Sequence, residues 1–413
     1  MEQLVKIFAQ RLIKAGLANE DGRSAPLVAG LDDELTWNRP APETRVLAPL
    51  FDRLNINSLV FFRPAAPFDS LMGYLANEAL DSGDPTIQPR DCETRTFLHD
   101  LPVVDRFDTD SLAQALTRRK SVIIMPRNED DFDGPAILAH GNVSPEQGFV
   151  VTSSLCFACF VKFFTDYLEA LERQIPCPEM TRVFNGVRTL AEQAAPQPPR
   201  LTPGPLDTED SVYRAVIQAG KATVDLGLVD SYFGNISFCF DQTLYISQTG
   251  SSLDHLTGCI DPVPLDGSTS AGLTASSELS AHLETIKRTG CEAILHGHPR
   301  FSVILSMICP PDQRDQCPDR DHCHIRCPEK RFVGEIPIVP GEVGTGPTGL
   351  CNTLPAAFEH SHGVIVFGHG LFTRGKTDFT RAFQRLIAIE EDCKARYFTR
   401  IDELLKFQAG HAR

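Results

Sequence analysis

The stretch that most limits how this chain can fold is a proline-rich segment in its middle. Residues 194–205, AAPQPPRLTPGP, contain five prolines and one glycine in twelve residues. Proline lacks the backbone N–H that helix interiors and central strands need, so this segment should form neither. The 413 residues also exceed what one typical hydrophobic core holds. We therefore expect a first domain over residues 1–193, a linker over 194–205 and a second domain over 206–413.

Composition and charge limit the partners. A sequence that is 42% hydrophobic and 23% charged is typical of a soluble globular protein. Its net charge of −15 repels nucleic acid and anionic membranes, so we expect neither as a partner. An anionic substrate would then need a local electropositive pocket, such as a bound metal or a helix N-terminus.

The N-terminal stretch, the most apolar stretch and the cysteines indicate the cellular compartment. The amphipathic stretch from Met1 to Gly16 has no uninterrupted apolar core and so does not resemble a signal peptide. The most apolar stretch, Leu155 to Phe164, is too short to cross a bilayer. We expect a cytoplasmic protein whose thirteen cysteines are thiols or metal ligands before they are disulfides.

Apolar periodicity in the second domain predicts helices interspersed with short strands. A helix capped by Asp207 or Thr208 opens the domain, and the last helix starts near Thr377. A further helix covers about 276–288, and the strand candidates are residues 235–240, 243–247, 293–295 and 363–367. This mixture is typical of a layered α/β or α+β domain.

Short strings in the first domain echo strings in the second. The matching pairs are LVFFRPAAPF (59–68) with ILHGHPRFSV (294–303), DLPVV (100–104) with EIPIV (335–339), and ILAHGNV (137–143) with VFGHGLF (366–372). Pro64 and Pro102 are 38 residues apart, and so are Pro299 and Pro337. We interpret the first domain as a diverged, partial copy of the second. Chance similarity between short apolar strings is the alternative.

Three histidines follow apolar strands of the second domain. His296 and His298 stand two residues apart, so an extended backbone projects both to one side, and Gly297 removes crowding between them. His369 lies between two glycines, which let the backbone approach a site closely. Three neutral imidazoles with one open position suit a catalytic zinc, although another divalent metal is an alternative. The histidines could instead only satisfy hydrogen bonds in a core.

Glu278 begins a helix directly after two serines. It is either an acidic residue favoured by the helix dipole or a general acid and base beside the metal. Anion-binding candidates lie in the same region, because backbone amides and hydroxyls bind phosphate without net positive charge. These candidates, each of which is also an ordinary turn or cap, are Gly234-Asn235, the run from Gln248 to Ser252, and Ser276-Ser277.

Taken in order, these motifs resemble the class II aldolase/adducin family. The resemblance covers about residues 205–400 and rests on GNIS (234–237), SQTGSSLDHLT (247–257), Asp-Gly (266–267), SSELSAHL (276–283), HGHP (296–299), EIPIVP (335–340) and FGHGLFTRG (367–375). It implies an α/β fold, a three-layer α/β/α domain around a largely antiparallel central sheet. Together with the echo, it predicts a degenerate related α/β domain in front.

The resemblance also implies roles for individual residues. It implies a zinc ion bound by His296, His298 and His369. It implies that Glu278 handles protons and can contact the metal when substrate is absent. It implies a phosphate cradle that includes Asn235, Thr249, Gly250, Ser276 and Ser277.

The family includes fuculose-phosphate and rhamnulose-phosphate aldolases, ribulose-phosphate 4-epimerases and related decarboxylases. Zinc in such a site binds adjacent oxygens of a hydroxy-ketone, polarises the carbonyl and stabilises the developing enediolate. We therefore expect a zinc-dependent lyase, an aldolase or a decarboxylase, acting on a small phosphorylated sugar or sugar acid. One alternative is a sugar-phosphate epimerase that uses retro-aldol chemistry in the same pocket. The other is a non-catalytic, adducin-like interaction protein, against which the complete set of histidines and Glu278 argues.

The sequence departs from the family pattern in one catalytic group. Many family aldolases bring a tyrosine from a neighbouring subunit, in the segment after the HxH pair, to protonate the leaving aldehyde. Between His298 and His369 this chain has no tyrosine. The candidates for that role are His322, His324 and Tyr397.

The first domain lacks the metal ligands. Phe61 and Arg63 stand where the HxH pair would lie, and only His140 remains by the sequence comparison. Family members commonly form cyclic tetramers with sites between subunits. A degenerate domain could take a neighbour's place, so we expect a homo-oligomer, either a dimer of two-domain chains or a tetramer.

Four cysteines interrupt the second domain. Cys309, Cys317, Cys323 and Cys327 are separated by seven, five and three residues, which matches no common zinc or iron–sulfur pattern. They could hold a second zinc, an iron–sulfur cluster or a redox pair. The alternative is a polar, proline-rich loop with ordinary thiols.

Overall fold

The structure, a computed structural model, describes residues 1–20, 22–127, 132–194, 196–230, 232–268, 270–320 and 322–411. Contacts between Cα atoms divide the chain into an N-terminal unit, Met1–Ala170 with Ile175–Glu192, and a C-terminal unit, Leu171–Gln174 with Gln193–Arg413. In the predicted linker, Ala195 lies outside the described residues, and the described residues of 194–205 contain neither helix nor strand.

The N-terminal unit contains a seven-stranded sheet in the order β2-β1-β3-β7-β6-β5-β4. The strands are β1 (Leu27–Leu31), β2 (Leu35–Trp37), β3 (Ser58–Phe62), β4 (Thr86–Ile87), β5 (Leu101–Val104), β6 (Ser121–Ile124) and β7 (Ala136–Gly141). Neighbouring strands are antiparallel except β5 and β6, which are parallel.

Eight helices accompany this sheet in the described residues. They are α1 (Glu2–Lys14), α2 (Thr44–Leu47), α3 (Leu50–Arg53), α4 (Phe68–Ser82), α5 (Cys92–Leu98), α6 (Thr109–Arg118), α7 (Pro145–Glu172) and α8 (Pro178–Ala191). One sheet face is closed by apolar residues of α2, α3 and α6, among them Leu47, Leu50 and Leu112. Helix α7 is long and apolar enough to cross a membrane, but 83% of its most apolar window is buried inside the structure, as in the core helix of a folded domain.

The C-terminal unit is built around an eight-stranded sheet in the order β10-β9-β8-β11-β15-β14-β13-β12. The strands are β8 (Asn235–Phe240), β9 (Thr243–Ser247), β10 (Ile260–Pro264), β11 (Ala293–Gly297), β12 (Arg331–Val333), β13 (Ile336–Val339), β14 (Gly363–Val366) and β15 (Gly370–Gly375). All neighbours are antiparallel except β13 and β14. The largely antiparallel sheet predicted from the resemblance is therefore confirmed.

Helices cover both faces of this sheet. They are α9 (Glu209–Asp225), α10 (Leu279–Thr289), α11 (Arg300–Met307), α12 (Pro311–Gln316), α13 (Leu350–Phe358) and α14 (Thr380–His411). Apolar residues of α10 and α13 pack with Ile294 and Phe372 on one face. On the other face, α14 contacts β11 and β15, and Phe379 near its start lies 5.7 Å from the Phe238 ring. The unit is thus a three-layer α/β/α domain, as predicted.

The two sheets share one strand order. The series β2-β1-β3-β7-β6-β5-β4 corresponds strand by strand to β9-β8-β11-β15-β14-β13-β12. The single parallel pair falls at the same place in both series. Only β10 lacks a counterpart in the described residues of the N-terminal unit. The N-terminal unit is therefore a more complete copy of the sheet than the partial copy predicted from the short strings.

The pairing register corrects one predicted equivalence. Leu59 of β3 pairs with His140, and Ile294 of β11 pairs with Arg374. Because the motif alignment places Leu59 on Ile294, His140 is the counterpart of Arg374. The prediction that His140 is the remnant of His369 is therefore wrong.

Counting back five residues on each strand from this pair puts Pro135 at the place of His369. The sequence comparison failed because short apolar strings match at several registers, whereas backbone pairing allows one. With Phe61 and Arg63 at the other two places, the N-terminal unit keeps none of the three histidines.

Candidate metal and active site

Strand ends bring the three histidines together. His296 is the fourth residue of β11, and His298 follows the end of that strand. His369 lies in the tight turn from β14 to β15, where its N–H donates to the Val366 carbonyl at 3.1 Å. Gly368, at φ +56°, allows this turn, and its N–H donates to Ser306 Oγ at 2.8 Å.

The three imidazoles converge on one point. One ligand nitrogen from each of His296, His298 and His369 lies within 4.8 Å of the other two. All three side chains are buried, with exposed fractions of 0%, 5% and 7%. Within the described residues, no other set of three or more histidine, cysteine or acidic side chains comes close enough to share an ion.

The protonation of these rings favours metal binding. Burial lowers the pKa of His369 below its ordinary value, and burial with the neighbouring rings holds the pKa of His296 and His298 well below it. The rings are therefore neutral near pH 7. Since the Leu371 carbonyl lies 3.2 Å from His296 Nδ1, that nitrogen carries the proton and donates, and Nε2 has its lone pair free to bind a metal.

The residues present fit a divalent ion. His296 Nε2, with its lone pair, faces His298 Nε2 at 3.0 Å. Gly370 makes room for this arrangement, because a Cβ there would lie 2.6 Å from His296 Cε1 and 2.9 Å from His298 Cδ2. Phe372 stacks on the His296 ring with centroids 3.7 Å apart and an interplanar angle of 8°. Neutral, fixed, converging imidazoles are the ligands that zinc takes in catalytic sites.

Glu278 faces the same point from helix α10. It is the N-cap residue of α10, which starts three residues later than predicted, and its side chain is 4% exposed. Its Oε1 lies 3.3 Å from His369 Nε2, and its Oε2 lies 3.7 Å from His296 Nε2. A buried carboxylate beside the histidines can take or give a proton next to a bound substrate.

Sequence reasoning missed two buried residues behind Glu278, namely His282 and Ser237. His282 is fully buried; its Nε2–H donates to Asn235 Oδ1 at 2.6 Å, and its Nδ1 accepts from Ser237 Oγ at 2.7 Å. Asn235 Nδ2 in turn donates to Glu278 Oε2 at 2.5 Å. The signal was present in the spacing, since Glu278 and His282 are four apart on one helix and therefore share a face.

Four of the five predicted phosphate-binding residues meet at one rim. The Ser277 N–H donates to Thr249 Oγ1 at 3.0 Å, and the Ser276 N–H donates to the Ser247 carbonyl at 3.0 Å. Gly250 follows Thr249 at φ +68°. The fifth, Asn235, is buried and bonded to Glu278 and His282 instead. A direct phosphate contact of each residue stays a prediction.

The four cysteines of the 309–327 segment are half-buried free thiols. The Cys323 Sγ–H donates to the Arg320 carbonyl at 3.2 Å. Burial raises the pKa of the Cys309 and Cys323 thiols. A second metal or a redox pair at Cys309, Cys317, Cys323 and Cys327 stays a prediction.

The candidates for the missing tyrosine lie in different environments. Tyr397 is fully buried, and its ring packs 5.3 Å from those of Phe301 and Phe398. His322 is exposed and His324 is half-buried in the cysteine segment. Tyr397 is thus a packing residue within its own chain, whereas the two histidines remain accessible.

A protein family model matches residues within the C-terminal unit. Residues 214–397 match the family model of the Class II Aldolase and Adducin N-terminal domain. L-fuculose-1-phosphate aldolase from Thermus thermophilus is 23% identical, with 47% of this chain and 97% of that chain covered and a TM-score of 0.37. No protein of curated function matches the chain.

Two further solved structures are similar over about half of the chain. A sugar-phosphate aldolase from Thermotoga maritima is 18% identical, covering 47% of this chain and 96% of that chain at a TM-score of 0.34. The N-terminal class II aldolase domain of a conserved protein from Thermoplasma acidophilum is 16% identical, covering 49% and 99% at a TM-score of 0.35.

Proposed function

We propose that the class II aldolase and adducin domain matched at residues 214–397 is a zinc-dependent lyase that acts through an enediolate on a small phosphorylated sugar or sugar acid. The observation that carries the proposal is the convergence of three neutral, buried imidazoles beside a buried carboxylate. Burying four such polar groups together costs free energy that a purely structural core does not need to spend.

The ion would be held by one nitrogen each of His296, His298 and His369. When bound, zinc supplies a Lewis acid that polarises a carbonyl and neutralises developing negative charge. The protein fixes the ligands through the Leu371 carbonyl and the stacked Phe372 ring. Because the Leu371 carbonyl and the Phe372 ring cover one side of His296, substrate would approach from the side of Glu278.

Glu278 is the proton carrier in this proposal. In the cleavage direction, the carbon–carbon bond next to the carbonyl breaks and its electron pair passes to the enediolate of the remaining fragment. As the aldehyde forms, the hydroxyl proton of the substrate passes to water. Glu278, protonated at the start of this step, delivers its proton to the enediolate carbon and is left as a carboxylate. Decarboxylation yields the same enediolate with carbon dioxide as the other product, so Glu278 serves both reactions.

The polar rim supports a phosphorylated substrate. Thr249 and Ser277 are exposed and bonded to each other, and Ser276 accepts from the Glu278 N–H at 3.3 Å. Hydroxyls beside the positive end of the α10 dipole can hold a phosphate without a basic side chain, which suits a chain of net charge −15. The phosphate would lie next to Glu278 and thereby orient the substrate carbonyl.

The absence of tyrosine between His298 and His369 favours decarboxylation over a standard aldol cleavage. Decarboxylation releases carbon dioxide from a carboxylate, so no group has to take up a hydroxyl proton on that side. An epimerase that re-adds the same aldehyde is the second candidate, and it needs the same proton transfer as an aldolase. In a homo-oligomer, His322 or His324 of a neighbouring subunit would carry that proton. A non-catalytic scaffold is disfavoured, because it has no use for a buried ligand set.

The first experiment measures zinc and proton transfer together. The full chain, purified and loaded with zinc, is incubated with dihydroxyacetone phosphate in deuterated water without any aldehyde. We expect about one tightly bound zinc per chain and exchange of carbon-bound hydrogen for deuterium. In His298→Ala, both should be lost, and any metal that remains would then be assigned to the cysteine segment.

Product analysis separates the reactions. The same protein is given L-fuculose 1-phosphate, a rhamnulose phosphate, a ribulose phosphate and a phosphorylated keto sugar acid, with detection of aldehyde, carbon dioxide and epimer. A protein that binds zinc but neither exchanges hydrogen nor converts any of these compounds would contradict the lyase and epimerase proposals. Light scattering of the same sample tests the expected dimer or tetramer.

A further inference from the structure

A continuous row of buried polar groups lies behind Glu278. It comprises Ser237 and His282, both 0% exposed, and Asn235, 6% exposed. The links are 2.7 Å from Ser237 Oγ to His282 Nδ1, 2.6 Å from His282 Nε2 to Asn235 Oδ1, and 2.5 Å from Asn235 Nδ2 to Glu278 Oε2. Each link is short enough to be a strong hydrogen bond.

The direction of every bond in this row is fixed by chemistry. A carboxylate only accepts, so the Asn235 amide nitrogen must face Glu278 and donate. The Asn235 carbonyl oxygen then faces His282 and can only accept, so His282 Nε2 carries the proton. Burial lowers the pKa of His282 to about 3, so the ring is neutral and Nδ1 must accept from the Ser237 hydroxyl.

We infer that His282 is a positioning residue which, through Asn235, holds one oxygen of the Glu278 carboxylate and thereby orients the other oxygen, which moves the proton, towards His369. Oε2 is the anchored oxygen, and Oε1 is the oxygen that faces His369 at 3.3 Å. This inference rests on the proposed function for Glu278. The row fixes the carboxylate in rotation and stabilises its charged form, because all donors point towards it.

The row is carried by two rigid elements. Asn235 and Ser237 are two apart on β8 and so lie on one face of the sheet, while Glu278 and His282 flank the first turn of α10. Asn235 also pairs with His296 across the sheet. The positions of Glu278 and of the metal ligands are thus set by the same backbone pairing.

The fold itself does not require a polar row here. By the strand register, Leu27 and Ala29 of the N-terminal unit occupy the places of Asn235 and Ser237. Both are fully buried in an apolar core. Since apolar side chains fill these positions in the same topology, the polar set serves the site more than the fold.

The first test reads the tautomer of His282 in the intact zinc-loaded protein by nitrogen-15 NMR of its imidazole. We expect a neutral ring with the proton on Nε2. A ring protonated on Nδ1, or a charged ring, would overturn the inference, whatever the catalytic activity of the protein turns out to be. This outcome is independent of the proposed reaction.

The second test compares His282→Gln with His282→Leu by deuterium exchange into dihydroxyacetone phosphate. Gln can still donate an N–H to Asn235, whereas Leu cannot. We expect full zinc content in both, a fall in the exchange rate of about tenfold to a hundredfold in His282→Leu, and partial recovery in His282→Gln. The KM for dihydroxyacetone phosphate should stay within about twofold.

Two further variants separate positioning from stability. His140→Leu replaces a buried histidine of the N-terminal unit, 7% exposed, and should leave the exchange rate unchanged. Ser237→Ala removes the far end of the row and should slow exchange only a few-fold, which keeps the test usable if His282→Leu does not fold. Equal rates in His282→Leu and wild type would refute the inference. If wild type neither exchanges hydrogen nor converts any of the substrates tested above, the proposed function fails, while the tautomer measurement still decides the row.

Discussion

The sheets of the two units share a strand order, but the side chains on one equivalent face are apolar in the N-terminal unit and polar in the C-terminal unit. In the N-terminal unit, Leu27 and Phe61 lie on this face and are buried among α2, α3 and α6. In the C-terminal unit, Asn235 and His296 hold the equivalent strand positions and form part of a polar site. The same topology therefore folds with apolar or with polar side chains on this face, so the fold itself does not require the polar residues.

The N-terminal filling is aromatic where the C-terminal unit has imidazoles. The Phe61 ring lies 5.4 Å from Phe107 and 6.0 Å from Phe132, and the Arg63 guanidinium lies 4.6 Å from the Phe132 centroid. These rings supply the buried apolar surface that stabilises a core. The proposed metal site at the equivalent place gives up that apolar surface, and its polar groups depend on hydrogen bonds instead.

The largest effect should come from importing the N-terminal residue into the site. His296→Phe removes one of the three proposed ligands but replaces it with the side chain that packs at the equivalent place, Phe61. We expect the zinc content per chain and the deuterium exchange to fall to background, while urea unfolding shows that the fold persists. Retention of tight zinc by His296→Phe would contradict the assignment, and Phe61→Leu serves as the matched change in the other unit.

Glu278→Gln tests the carboxylate without altering the ligand set. Proton transfer by a positioned group contributes on the order of 10²–10⁴-fold, so exchange should slow by about that factor. Zinc content should be unchanged, because the three imidazoles remain. An exchange rate within about threefold of wild type would remove Glu278 from the proposed chemistry.

Gly370→Ala tests the close packing around the ligands. A Cβ there would approach the Gly297 carbonyl oxygen to 2.5 Å and His296 Cε1 to 2.6 Å. By the strand register its counterpart in the N-terminal unit is Ala136, next to no metal ligand. We expect zinc affinity to fall by about tenfold or more, measured by competition with a chelator. Gly186→Ala, where a Cβ meets nothing within 4 Å, is the control.

The smallest expected effect concerns acid stability. The pKa of His282 is lowered by burial from 6.5 to about 3, so its stabilising contribution is complete above pH 6.5 and declines as the pH falls towards 3. At about 1.4 kcal/mol per pH unit, wild type should lose roughly 2 kcal/mol between pH 6.5 and 5 through this group. In metal-free protein, the stability gap between wild type and His282→Leu should narrow by that amount.

Urea unfolding of both proteins at pH 7 and pH 5 checks this prediction. Ser237→Ala keeps His282 and should keep most of the wild-type pH dependence. If the difference in free energy of unfolding between wild type and His282→Leu stays constant or widens from pH 7 to pH 5, His282 is not buried as a neutral ring.

Sequence patterns identified most residues of the candidate site, but they did not give the spatial arrangement of those residues. His296, His298 and His369 were found because glycine-flanked histidines after apolar strands form a local pattern that reads directly from the chain. The helix start before Glu278 was misplaced by three residues, since Ser276 bonds back to Ser247 and delays the first helical turn. The family model at residues 214–397 confirms the resemblance on which the roles rest.

Non-local pairing explains what sequence reasoning missed. The equivalence of His140 with Arg374 depends on which residues face each other across two strands, and short apolar strings do not determine that. The link from His282 to Asn235 joins residues 47 apart and exists only once α10 packs on β8. The strand β10 was missed because two of its five residues are prolines, which ordinarily disfavour a strand.

The most direct test is a crystal structure of the zinc-loaded chain, with anomalous scattering collected at the zinc absorption edge. We expect one strong peak at bonding distance, about 2.0–2.1 Å, from a nitrogen of each of His296, His298 and His369. A zinc-loaded crystal without a peak there, or with zinc only at the cysteines of residues 309–327, would contradict the proposed zinc site.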